Sequence, residues 1–147
     1  MGNGQARKET MKTSIALAAF IIGGAAVAGE SLAPKNAYLY IGWPNDGQVV
    51  HNNNFRVWFG LRNMGIAPAG TEKPMTGHHH LIVDAPLPAM DEEIPADKNH
   101  LHFGKGQTET RITLPSGTHT LQLLLGDLDH VPHNPPVVSQ KKTITVK

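Results

Sequence analysis

From residue 37 onward, apolar and polar residues alternate in short runs, the pattern of strands whose two faces meet different surroundings. "AYLYIGW" (37–43) sends Ala37, Leu39, Ile41 and Trp43 one way and Tyr38 and Tyr40 the other, and "NFRVWFGLR" (54–62) sets Phe55, Val57, Phe59 and Leu61 against Arg56, Trp58 and Arg62. "HHHLIVD" (78–84), "TRITLP" (110–115), "THTLQLLLGD" (118–127, with Leu121, Leu123 and Leu125 inward) and "KKTITVK" (141–147) read as further strands. The clusters "PNDG", "HNNN", "APLPAMDEEIPAD", "PSG" and "HNPP" between them are turn chemistry. Six or seven short strands without an amphipathic helical stretch predict an all-β fold: a single antiparallel β-sandwich domain of immunoglobulin-like type.

The same parity sorts the histidines, because successive strand residues face opposite ways. His79 lines up with Leu81 and Val83, so His78 and His80 fall together on the other face. Leu101 and Phe103 claim the core side of 100–103, so His100 and His102 share the opposite one. Imidazoles at i and i+2 stand about 6 to 7 Å apart at Cα, near enough to converge on one ion. "DLDHVPH" adds His130 and His133 from a loop stiffened by proline, and Asp127 or Asp129 as a further ligand or as an acceptor for a ligand N–H. The candidate metal ligands are therefore His78, His80, His100, His102, His130, His133 and Asp127, and imidazole with carboxylate suits Zn²⁺ or Cu²⁺. Met64, Met75 and Met90 are available to assist Cu⁺. The remaining histidines read as structural: His79 packs, the His119 ring caps the corner turn at "PSG", and His51 sits in a polar turn with no partner in view.

Composition narrows the chemistry. With no cysteine, a blue-copper centre, a four-cysteine zinc site and disulfides are all excluded. Arg7, Lys8 and Lys12 precede the apolar run "IALAAFIIGGAAVA" (15–28), which ends in the small-x-small pattern Ala26-Val27-Ala28 of a secretion-signal cleavage site. At about 1.5 Å per residue the run spans roughly 21 Å, short of the ~30 Å that a membrane-crossing helix must cover. Residues 1–28 thus read as a signal peptide, complete even if translation starts at Met11, and 29–147 as the mature domain, periplasmic or secreted from a bacterium. No retained membrane contact is expected after cleavage. Residues 29–147 carry ten Lys and Arg against eleven Asp and Glu, so no basic field attracts nucleic acid. Cleavage after Ala28 puts Gly29-Glu30-Ser31 first, which rules out a histidine brace and an amino-terminal copper motif.

The strings "APAGTEKPMTGHHHLIVD", "LPAMDEEIPADKNHLHFGKGQTET" and "LPSGTHTLQLLLGDLDHVPHNPPVVS" resemble the bacterial family known as domain of unknown function 4399, over roughly residues 62–146. The resemblance implies a small exported bacterial protein and transfers no mechanism.

Three functions compete. The first is a periplasmic metal-binding module that carries or buffers Cu²⁺ or Zn²⁺ through the paired histidines, its partners the ion itself and another periplasmic protein. The second is a non-catalytic interaction module, with "GKGQTET" and "HVPHNPP" as recognition loops and a polar histidine surface. The third is a metal-dependent hydrolase or oxidase with Glu109 or Asp127 as base beside a metal-bound water. The chain has no G-x-S-x-G, H-E-x-x-H, P-loop or dinucleotide fingerprint, which ranks the enzyme last. "GKGQTE" reads as a turn and "DEEIPADK" as a solvated loop. The two Trp and two Tyr between 38 and 58 can pack or stack on a sugar.

Overall fold

The computed structural model describes Met1 and residues 31–147; the signal-peptide reading of 1–28 lies outside the described residues, apart from Met1. Among the described residues nine strands follow in chain order: β1 (Tyr38–Trp43), β2 (Val49–Val50), β3 (Asn54–Arg62), β4 (Gly65–Ile66), β5 (Thr76–Val83), β6 (His100–Phe103), β7 (Glu109–Thr113), β8 (Gly117–Gly126) and β9 (Lys142–Val146). They form two sheets. One has the order β1-β3-β7; the other runs β2-β9-β8-β5-β4, with β6 also paired to β5. The pairings β1-β3, β3-β7, β5-β6, β5-β8 and β8-β9 are antiparallel. Three strands facing a β9-β8-β5-β6 layer is the strand distribution of an immunoglobulin-like sandwich.

Alternation explains the layers. Leu39 and Ile41 of β1, Phe55, Val57 and Phe59 of β3, and Ile112 of β7 face Leu81 and Val83 of β5, Leu121, Leu123 and Leu125 of β8, and Ile144 and Val146 of β9. Leu81, Leu121, Leu123 and Leu125 are fully buried, and each such side chain contributes about 2 kcal/mol of transfer free energy. The outer face of the larger sheet is not wholly solvated: Ile82 and Leu124 pack there with Ile94, from the loop that joins β5 to β6. That loop therefore lies over the sheet, which gives β5 and β8 a second covered face.

Two strands went unforeseen. β2 and β4 are two residues long and pair in parallel with β9 and β5. Two residues contain no alternation to read, and their pairing is set by where the flanking loops run. The corner entry matches its expectation: His119 Nδ1–H donates to Asp84 Oδ2 (2.6 Å) and Nε2–H to the Pro115 carbonyl (2.9 Å). Burial disfavours its charged form, but the Asp84 carboxylate and the Pro115 carbonyl outweigh that and raise its pKa.

Candidate metal centre

Strand register, added to parity, builds the site. His80 on β5 stands directly across from His102 on β6 and, on its other side, from Leu124 on β8. His78 lies one pleat along, opposite Gly126. The chain leaves β8 at Gly126 and turns at once: Asp127 N–H donates to the Val131 carbonyl and His130 N–H to the Asp127 carbonyl, while Asp127 Oδ1 accepts the amides of Asp129 and Val131 at 2.9 Å each. This closed turn holds His130 at φ 67°, in the left-handed region that a residue with a side chain seldom adopts. Ile94 N–H donates to the His130 carbonyl, joining the covering loop to the same turn.

The result is four imidazoles in one group. Ring centroids are 4.8 Å apart for His78–His80 and His102–His130, 4.9 Å for His78–His130, 5.0 Å for His78–His102, 5.1 Å for His80–His102 and 6.1 Å for His80–His130. His78, His80 and His102 each present a ring nitrogen within 4.8 Å of the others. With Zn–N bonds of about 2.0 to 2.1 Å, four imidazoles arranged tetrahedrally about an ion would have centroids separated by about 5 Å.

His78 and His80 are wholly buried, and among the described residues none of their four ring nitrogens has a hydrogen-bond partner. Buried polar atoms nearly always find one, and each orphan costs about 1 to 3 kcal/mol. Desolvation, then the neighbouring His130 and His102 charges, lowers the His78 pKa to about 4 against a smaller opposing pull from Asp127. Desolvation, then His78, His102 and His130, lowers His80 to about 3. Burial and then His130 lower His102 as well. At neutral pH these three rings keep a free lone pair, the form that binds metal. His102 is exposed, so the group opens to solvent on the β6 side.

The other expected ligands are placed elsewhere. His100 shares the face of His102 but sits one pleat on, opposite Ile82, and its Nδ1–H donates to Asp97 Oδ1 at 2.9 Å. His133 lies against Gly77, whose parity is that of core-facing His79; it is thus across β5 from the four rings, with its Nε2–H donating to the Thr76 carbonyl (3.0 Å). Asp127 spends Oδ1 on the two amides of its own turn, and its charge lies close enough to His78 to favour the protonated ring. His79 packs on Phe59 (5.0 Å between centroids) with Nδ1–H donating to the Gln107 carbonyl, and burial lowers its pKa to about 4. Met64 packs on the main core, Met90 on the Ile82–Ile94–Leu124 group, and Met75 is exposed.

Two residues that the sequence reading left without a role shape the site. A Cβ on Gly126 would lie 2.7 Å from His80 Cε1, and one on Gly104 would lie 2.5 Å from His102 Nε2. Both rings occupy space that only glycine leaves. A glycine inside or just after a strand signals such close approach, and "LLLGD" and "HFGKG" carried that signal.

The family model described as "Domain of unknown function (DUF4399)" matches residues 57–147. The chain belongs to this family. The match takes in all four clustered histidines and both glycines of the DUF4399 domain. No curated protein matches the chain. Among solved structures, the fibronectin(III)-like modules of Clostridium thermocellum CbhA are similar, at 9% identity over 74% of this chain and 92% of that one, with a TM-score of 0.38.

Proposed function

We propose that this DUF4399 domain is an exported metal-binding module that holds one divalent transition-metal ion on His78, His80, His102 and His130. The observation that carries the reading is the pair of wholly buried histidines with no hydrogen-bond partner among the described residues on any ring nitrogen, set among two further imidazoles at coordination spacing. The geometry favours Zn²⁺ over Cu²⁺. A square arrangement has four short and two long separations, whereas here five of six centroid distances lie between 4.8 and 5.1 Å, closer to a tetrahedron. Four protein ligands leave no open position, which suits carriage or buffering better than hydrolysis. Glu109, the alternative base, stands on β7 in the other sheet, 3.9 Å from Arg56. The signal-like segment supports a periplasmic location.

Titration calorimetry on tag-free, chelator-stripped protein tests the reading. One Zn²⁺ per chain with a Kd below about 1 μM is expected. The His78/His80/His102/His130 alanine variant should lose this binding, and His100→Ala should keep it. Affinity weaker than roughly 10 μM, or retained in the quadruple variant, removes the proposal.

A further inference from the structure

The exposed face of the three-stranded sheet carries an arrangement that the metal site does not use. In the β3-β7 register Arg56 stands directly opposite Arg111, and Trp58 opposite Glu109. Like charges facing each other across a strand pair are unfavourable. Glu109 offsets little of this: its Oε2 is 3.9 Å from Arg56 Nη1, with both side chains about half exposed. Arg111 is held in place, since Asn54 accepts from its Nε through Oδ1 (2.8 Å) and from its Nη2 through the main-chain carbonyl (2.9 Å). Among the described residues its Nη1 makes no hydrogen bond. Trp58, one pleat from Arg56 on the same face, is 47% exposed, unusual for so large an apolar side chain. Arg56, Trp58 and Arg111 line a groove of about 550 Å³ together with Trp43, His51 and Asn52.

We propose that this groove binds an acidic oligosaccharide, with one sugar ring on the Trp58 indole and its carboxylate or sulfate on the Arg56–Arg111 pair. Residues i and i+2 of a strand are about 7 Å apart, the distance from the middle of one pyranose to an anionic group on it or its neighbour. A planar guanidinium takes a carboxylate or sulfate through two parallel N–H donors, and an indole face covers the C–H face of a sugar. His51 and Asn52 supply donors and acceptors for hydroxyls. A neutral glycan would leave the arginine pair with the half-exposed Glu109 as its one nearby counter-charge among the described residues. A single-stranded nucleic acid would need a longer basic track along its backbone, and residues 29–147 carry slightly more acidic than basic groups. The proposal is independent of the histidine group, which lies on the outer face of the other sheet.

Tryptophan fluorescence and calorimetry with trigalacturonate and a heparin-derived tetrasaccharide test it, with cellotriose, an eight-residue oligo-dT and a polyglutamate peptide alongside. At least one acidic sugar should bind, at least about tenfold tighter than cellotriose and more weakly as salt rises. Trp58→Ala and Arg56→Gln/Arg111→Gln should each weaken it about tenfold or more, at unchanged Zn²⁺ affinity and thermal midpoint. The idea fails if neither acidic sugar binds, if cellotriose binds as well, if the variants bind like the wild type, or if only oligo-dT or polyglutamate binds.

Discussion

Gly104 and Gly126 each make room for an imidazole, yet a methyl group at the two positions should act differently. His80 is wholly buried beside Gly126, with Ile94 Cδ1 also 3.3 Å from the added carbon, so the ring has nowhere to go. Gly126→Ala should therefore cost about 1 to 3 kcal/mol of stability as overpacking and weaken zinc binding too. His102 is exposed and can swing outward from Gly104. Gly104→Ala should leave stability within about 0.5 kcal/mol of wild type while lowering zinc affinity at least about tenfold. Urea unfolding and zinc titration on the two variants separate these outcomes. Parity alone grouped His78 with His80 and put His102 on a histidine-bearing face, because pleating is local. It did not separate His100 from His102, which needs the register of β6 against β5. Nor did it reveal that Gly77 and His133 meet across the strand, since position 133 follows a loop and inherits no parity. The carbonyls that take up His133 and His79 come from distant segments and leave no mark beside those residues in the sequence; Asp97, three residues before His100, is in view but belongs to a stretch that reads as a solvated loop.

Between elements, the end of β5 is latched to the start of β8 by Asp84 and His119. Asp84 N–H donates to the Thr120 carbonyl, while the Asp84 side chain accepts the Thr120 amide on Oδ1 at 2.7 Å and takes His119 Nδ1–H on Oδ2. Both His119 nitrogens meet acceptors, so the imidazolium satisfies the site and the neutral ring does not. The raised pKa means that this contribution is fully present below the ordinary histidine value of 6.5 and is lost as pH rises through the folded-state value. Asp84→Asn keeps an acceptor for Thr120 and tolerates the observed φ of 52°, but it removes the charge. It should cost about 1 kcal/mol near pH 6, discounted for the partial exposure of Asp84, and less near pH 9; paired urea titrations at the two pH values check this. The long strands β1, β3, β5, β8 and β9 were readable because each buries one or both faces and repeats every second residue. β2 and β4 were not, because their existence depends on a neighbour's edge and not on their own composition.

For the molecule as a whole, the sandwich core and the imidazole group share β5 and β8: Leu81, Leu123 and Leu125 point inward, and His78 and His80 point outward. Metal bound only by the folded chain adds to its stability, by about 2.7 kcal/mol when free ion is at 100 times Kd. For a domain of this length that is a rise in Tm of about 10 °C, to be seen by calorimetry in wild type and His100→Ala and absent from the quadruple alanine variant. The fold class followed from alternation and turn chemistry, and the metal hypothesis from histidine spacing; the choice of four ligands required the third dimension. The Asp127–Val131 turn, pinned to the covering loop through Ile94, holds His130 beside the other three rings. If an ion is held there as proposed, its residence time would follow the swing of His102, the exposed ring of the four, more than the packing of the buried pair His78 and His80.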